Sequence, residues 1–284
     1  MISAAVRPRG PFSLRLSVRL VGDATRTKAE GPLLAALASG GVGRAWQQPD
    51  GVIQLRAPDE RGLDELRFVL ALDHDHSEFL KRFREDPLLG RALPHLRGLR
   101  PVRVATVTQA LLRAVCGQLI QAKRAREIER SVIRASTPSI DGTRLHAPPT
   151  PAAFCRISPA QLRRLGLGAR RGATLVRLCR SLDLERLRSV PAAAAAGRLG
   201  RERGLGPWSV GVIYLEGLGS YERGLVGDLG LIKLVRALRG RRVVETWETA
   251  ELLEPYGEWA GLASVYLLAG FGRGLIPLPS ARAA

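Results

Sequence analysis

Leu199-Gly-Arg-Glu-Arg-Gly-Leu-Gly-Pro-Trp-Ser-Val-Gly-Val-Ile213 sets two glycines one residue apart, Gly204 and Gly206, between two helical patterns. Glycine lets the backbone turn tightly and approach a ligand closely. Pro207 opens the second pattern, where its missing amide hydrogen costs nothing, and the free N–H groups around a helix start favour an anion such as a phosphate. Plain helix–helix corners use the same residues, so the stretch alone leaves both readings open.

Downstream lies Val226-Gly227-Asp228-Leu229-Gly230-Leu231, with Asp228 placed 22 residues after Gly206 and just before an apolar helical run. An aspartate there is expected to cap the helix. The same carboxylate, set beside a sugar that develops positive charge, would stabilise that charge or orient water toward it. The two roles are compatible. Upstream, Ala192 to Ala196 favours a helix start, Ser158-Pro159 reads as an N-cap followed by proline at the first helical position, and another helix begins near Arg171.

Further out, Leu111, Leu112, Val115, Leu119 and Ile120 recur at helical spacing before the chain turns basic at Lys123, Arg124 and Arg126. That periodicity makes Leu119 a core residue unless another observation says otherwise. From Ser77 onward the pattern is helical throughout. Before it the period is two: Phe12, Leu14, Leu16, Val18 and Leu20 alternate with polar residues, as do Leu66, Phe68, Leu70 and Leu72. Strand-like runs also flank the turn Pro49-Asp50-Gly51, with Trp46 before it and Val52 to Leu55 after it, and a helix is expected near Gly31 to Leu37. The expectation is an α+β protein with a small N-terminal antiparallel sheet domain over 1–76, carrying one helix, and an all-α region over 77–284 that holds the active-site cleft.

The 284 residues suffice for two proper cores. Lys and Arg number 44 against 26 Asp and Glu, a formal net charge of +18, and nearly all the cations are arginine, which grips phosphate oxygens bidentately. A polyanionic partner, nucleic acid first, is expected from this, with a solvated arginine-rich surface as the plainer alternative. No apolar run has membrane-spanning length and no signal-peptide core precedes Pro11, so a cytoplasmic location is expected. Cys116, Cys155 and Cys179 are too few and too scattered for a disulfide framework, a four-cysteine metal site or an iron–sulfur cluster. His74-Asp75-His76 reads as a solvated or capping loop, not a zinc site. His95 and His146 stand alone, and Gly-x-Gly here follows a helix and not a strand, which disfavours protease and dehydrogenase readings.

Gly204-Leu-Gly206-Pro-Trp208, Gly227-Asp228-Leu-Gly-Leu231 and Cys116-Gly117-Gln118-Leu119-Ile120 together resemble the helix-hairpin-helix DNA glycosylase superfamily, and more narrowly its bacterial 3-methyladenine glycosylase II group. The resemblance spans essentially the whole chain. It implies a monomeric, nucleoid-associated bacterial base excision repair enzyme acting on double-stranded DNA with damaged bases, hydrolysing the N-glycosidic bond of an alkylated purine to leave an abasic site. Asp228 would be the catalytic residue. Gly204, Leu205, Gly206, Trp208 and Ser209 would lie on the DNA, Leu119 would wedge into the gap left by the flipped base, and Gln118 would contact the opposite strand. No cofactor is required, although backbone carbonyls of Gly200, Glu202 and Leu205 would suit a structural Na+ or K+.

Members of that superfamily that also cut the strand carry a lysine where this chain has Trp208, so the resemblance implies a monofunctional hydrolase. The positions of the usual pocket aromatics fall on Val212, Leu229 and Leu268, all aliphatic. Trp208, Tyr214, Trp259 and Tyr266 could supply rings from elsewhere or belong to the core. Two alternatives therefore stand beside the first reading: a glycosylase for a deaminated or bulky lesion, and a non-catalytic DNA-binding module that uses the hairpin only as a phosphate grip.

Overall fold

In the computed structural model, which describes residues 1–28 and 31–279, five strands form one antiparallel sheet in the order β1-β5-β4-β3-β2. The strands are β1 Ile2–Val6, β2 Arg26–Lys28, β3 Leu33–Ala36, β4 Val42–Gln47 and β5 Ile53–Ala57. β4 and β5 form the hairpin around Pro49-Asp50-Gly51 that the sequence predicts, in a register that sets Trp46 opposite Gln54. β5 shows the period of a half-buried strand, with Ile53, Leu55 and Ala57 wholly buried and Gln54 and Arg56 turned away.

Three N-terminal expectations are corrected. The Phe12 to Leu20 alternation is not a strand: α1 (Leu14–Ser17) and a 3-10 turn (Val18–Leu20) occupy it, opened by Ser13 capping the Leu16 amide. Leu14 and Val18 are four apart as well as an even number apart, so the same leucine-rich spacing serves a helix face. Leu66 to Leu72 is likewise the last turn of α2 (Glu60–Val69) and the turn that follows it; Asp59 caps α2 through the Gly62 amide, and Leu66 and Val69 share its buried face. Conversely, the helix expected near Gly31 to Leu37 is β3, whose pairing on both sides with β2 and β4 outweighs the helical preference of leucine and alanine. α1 and α2 cover the sheet and share a core with it.

The remaining helices are α3 (Ser77–Arg82), α4 (Val107–Gly117), α5 (Ala122–Ser136), α6 (Pro151–Cys155), α7 (Pro159–Arg164), α8 (Ala169–Ser181), α9 (Ala192–Gly200), α10 (Pro207–Val212), α11 (Leu229–Arg239), α12 (Thr246–Leu253) and α13 (Ala260–Phe271). The N-cap expected at Ser158 is present, and the structure adds to it a capping box in which Gln161 reaches back to the Ser158 amide. A second, larger core gathers these helices, and α4 lies at its centre against α5, α8 and α10. The α+β class stands. None of the described helices is long and apolar enough to cross a membrane.

Two buried arginines stitch the sheet to the helices. Arg100 donates to the carbonyls of Arg9, Pro11 and Ala71, and Arg103 to those of Phe68 and Gly219 and to the Tyr221 hydroxyl. His76, at the start of α3, is buried too and meets Tyr221 Oη at 2.9 Å. This corrects the expectation of a solvated His74-Asp75-His76 loop: only Asp75, which caps the Ser77 amide, behaves as a surface capping residue.

Candidate active site

Gly227 holds φ at +86°, where a side chain is strained, and its amide donates to Thr249 Oγ1 at 2.7 Å. The chain therefore turns sharply and is pinned to α12 immediately before Asp228. Asp228 caps α11: its Oδ1 accepts from the Gly230 amide at 2.7 Å and from the Leu231 amide at 3.3 Å. Its Oδ2 accepts from the indole Nε1–H of Trp208 at 3.0 Å. The cap and the cleft-facing carboxylate are one residue, half-buried and oriented from two sides.

α9 ends at Gly200 and α10 begins at Pro207, joined by an exposed turn. Gly204 has φ +89°, and a Cβ there would fall 2.6 Å from Thr174 Oγ1, so both backbone and space require glycine. Gly206 is extended, with nothing within 4 Å of a Cβ, which leaves its face open to a ligand. Arg177 holds the turn from below, donating to the Glu202 carboxylate at 2.6 Å and the Arg203 carbonyl at 2.7 Å. The Glu202 carbonyl accepts from the Leu205 amide at 3.2 Å, whereas the carbonyls of Gly200 and Leu205 accept no hydrogen bond among the described residues. Neutral oxygens of this kind suit a hard monovalent cation.

Gln118 is turned onto this turn: its Nε2 donates to the Gly204 carbonyl at 2.8 Å and to Ser209 Oγ at 3.0 Å. Its own carbonyl and that of Cys116 accept from Arg171. Gln118 thereby ties the end of α4 to the turn. The helix expected to run through Leu119 and Ile120 stops at Gly117, because the following residues leave helical geometry. Leu119 has φ +55° and is 90% exposed. Its alternative as a core residue is excluded, and an exposed leucine held in left-handed backbone is strain that the flanking Gln118 and Arg171 contacts must sustain.

Leu119, Trp208 and Asp228 line one cleft of about 970 Å³. Val212, Leu229 and Leu268 line it as well, and Trp208 is its one aromatic residue among those described. The indole lies over Gly117, where a Cβ would come within 2.4 Å of its ring. The other rings belong to the core: Tyr266 donates to the Leu99 carbonyl, Tyr214 to that of Ala192, and Trp259 stacks on Tyr221. Lys123 and Lys233 also line the cleft.

Sequence reasoning missed a charged group in the same cleft. Arg113, the one charged residue of α4, donates to Asp23 Oδ2 at 2.7 Å, to both oxygens of Glu129 on α5, and to Glu216. Arg26 adds a pair with Asp23 at 2.6 Å. Burial works to raise the Asp23 pKa, but Arg26 and Arg113 outweigh it and hold the carboxyl well below the usual range. For Glu129 burial wins over Arg113 and the pKa rises. An arginine inside an apolar helical run was the only signal available, and its partners lie 16 to 103 residues away.

A sheet-flanked helical body sets the glycine turn, Asp228 and the exposed Leu119 around one cleft, and comparison with known proteins supports the resemblance to the helix-hairpin-helix DNA glycosylases drawn from the sequence. No family model matches the sequence. DNA-3-methyladenine glycosylase of Bacillus subtilis (strain 168) is 26% identical over 204 residues, covering 69% of this chain and 67% of that protein. Among solved structures, the 3-methyladenine DNA glycosylase of Archaeoglobus fulgidus superposes with a TM-score of 0.83 at 17% identity, over 95% of this chain and 98% of that one. The 8-oxoguanine glycosylase/lyase of Clostridium acetobutylicum, in complex with double-stranded DNA, gives 0.78 at 17%, over 96% and 99%. These structural likenesses establish the fold.

Proposed function

We propose that the protein is a monofunctional DNA glycosylase that extrudes a damaged purine from duplex DNA and hydrolyses its N-glycosidic bond, leaving an abasic site. The observation that carries this reading is the shared cleft in which Asp228, oriented by Trp208 and by two helix amides, stands with the exposed Leu119.

The α9–turn–α10 unit serves as the hairpin. Its exposed face at Gly204, Gly206 and Pro207, together with Arg201, Arg203 and the first turn of α5 at Lys123, Arg124 and Arg126, offers cations and free amides to a phosphate backbone. Leu205 is buried beneath it, and Ser209 is tied to Gln118, so both support the hairpin's shape. Flipping a base costs a few kcal/mol of stacking, and Leu119, already projecting into solvent, replaces part of that contact. As the base departs, Asp228 stabilises the oxocarbenium-like sugar and orients water toward it. With Trp208 in the position that carries lysine in strand-cutting members, the hairpin offers no amine to attack C1′. Gly200, Glu202 and Leu205 would hold a monovalent cation through their carbonyls, which would add positive charge under the phosphate. The relatives named for 3-methyladenine support an alkylated purine as substrate.

The test is single-turnover base release from duplexes carrying 3-methyladenine, 7-methylguanine or hypoxanthine, comparing the wild type with Asp228→Asn. Release that is lost in the variant, with binding kept and no strand cut, supports the proposal. Tight, salt-sensitive binding without release of any base would favour the non-catalytic DNA-binding module.

A further inference from the structure

Besides Asp228, Lys123 and Lys233, the cleft carries the charged group centred on Arg113, and one carboxylate of that group is placed differently from the rest. Asp23 and Glu129 are almost fully enclosed, with side-chain exposures of 4% and 1%, whereas Glu216 and Arg113 keep 23% and 20%. Glu216 sits on the π-helical segment Ile213–Leu218 that continues α10, and wide turns of this kind recur at functional sites. The segment is fixed on both sides. The Glu216 carbonyl accepts from the Val104 amide at 3.0 Å, and that of Gly217 accepts from Arg188 Nε at 2.8 Å. A Cβ on Gly217 would lie 2.7 Å from Ala110 Cβ, so the segment presses against α4 one turn before Arg113.

The hydrogen-bond inventory of this pair is incomplete. Arg113 commits Nε–H to Glu129, both Nη2 hydrogens to Asp23 and Glu129, and one Nη1 hydrogen to Glu216 Oε2. A guanidinium has five N–H donors, so one Nη1 hydrogen remains. Glu216 Oε1 accepts no hydrogen bond among the described residues. An acceptor and a donor, on two side chains that are each partly exposed, thus stand side by side in the cleft that holds Asp228.

We infer that Glu216, with Arg113 beside it, selects the flipped base by hydrogen bonding: Glu216 Oε1 accepts from an N–H on the edge of the purine, and Arg113 Nη1 donates to the neighbouring ring or carbonyl acceptor. The substrate class is a purine lesion that keeps an N–H donor next to an acceptor, as hypoxanthine and 7-methylguanine do. A purine whose edge nitrogens are bridged and carry no hydrogen, such as 1,N6-ethenoadenine, leaves the carboxylate unpaired and is rejected. This selection does the work for which the cleft, with Trp208 as its one described aromatic, lacks a stacking sandwich. The inference rests on the glycosylase reading.

Single-turnover release is compared for hypoxanthine and 1,N6-ethenoadenine duplexes, in the wild type and in Glu216→Gln and Glu216→Ala, with binding to an abasic-site duplex as the control that contains no base. The expected result is hypoxanthine release at least about tenfold faster than ethenoadenine release in the wild type, the worth of one hydrogen bond to a charged group. That preference shrinks to near unity in Glu216→Ala, and abasic-site binding is unchanged in Glu216→Gln. Equal release of the two bases by the wild type overturns the inference without needing either variant, as does an equal fall on both in the variants. Release of neither base by a wild type that does release 7-methylguanine or 3-methyladenine overturns the inference alone, whereas release of none of the four bases brings down the glycosylase reading itself.

Discussion

The indole Nε1–H of Trp208 donates to Asp228 Oδ2 at 3.0 Å, so the first turn of α10 and the residue that caps α11 are held as one unit. Trp208 was expected to matter for what it replaces. In the structure it also orients the carboxylate. Trp208→Phe keeps a ring over Gly117 but removes the N–H, and base release in a single turnover is expected to fall by about tenfold or more, the value of a hydrogen bond to a charged group. Binding to abasic-site DNA should stay within a factor of about two, since no phosphate contact is touched. An unchanged release rate would show that the two helix amides alone orient Asp228.

Leu119 separates stability from function. Its φ of +55° costs roughly 1 kcal/mol that glycine would not bear, and at 90% exposure it contributes little burial. Leu119→Gly is therefore expected to raise unfolding stability in urea by about that amount while slowing base release. A variant less stable than the wild type would mean that Leu119 packs where the structure shows it exposed.

Lys123 and Lys233 line the cleft although neither stands on the hairpin. With Trp208 between the hairpin and Asp228, sodium borohydride added during turnover should trap no covalent protein–DNA complex, and the product strand should remain uncut until treated with alkali. A trapped species that disappears in Lys233→Ala would make the enzyme a lyase and identify its nucleophile.

His76 gives stability a pH dependence. Burial, with Arg100 nearby, lowers its pKa from 6.5 to about 3, and burial with Arg103 lowers His74 to about 4. The folded imidazoles stay neutral where the unfolded chain binds protons, so stability is full above about pH 6.5 and falls as pH drops toward those values. The loss should be on the order of a few kcal/mol across that window. Urea midpoints measured from pH 8 to pH 4 check it, and His76→Phe should flatten the curve. A midpoint constant over that range would show that the imidazole is protonated in the folded state.

Glycine and capping signals transferred well from sequence to structure because they act locally. Gly204 does make a tight, left-handed turn, Ser158 does cap the helix that opens at Pro159, and Asp228 does cap the run that follows it. Each of these is settled within a few residues of chain. Alternating leucines were less informative. Leu14 with Val18, and Leu66 with Leu70, satisfy helical as well as extended spacing, and a short run cannot separate the two. Leu33–Ala36 became a strand because β2 and β4 flank it.

By itself, then, the sequence determined the α+β class, the glycine turn, the capping aspartate and the aliphatic character of Val212, Leu229 and Leu268. Only the tertiary structure decided that Leu119 projects into solvent, that Gln118 braces the turn, that Trp208 orients Asp228, and that Arg113 gathers Asp23, Glu129 and Glu216 into the cleft. The reason is range. A turn or a cap is fixed by neighbours along the chain, whereas a hydrogen bond between Arg113 and Glu216 spans 103 residues and exists only where the packing of α4 against the π-helical segment brings the two together.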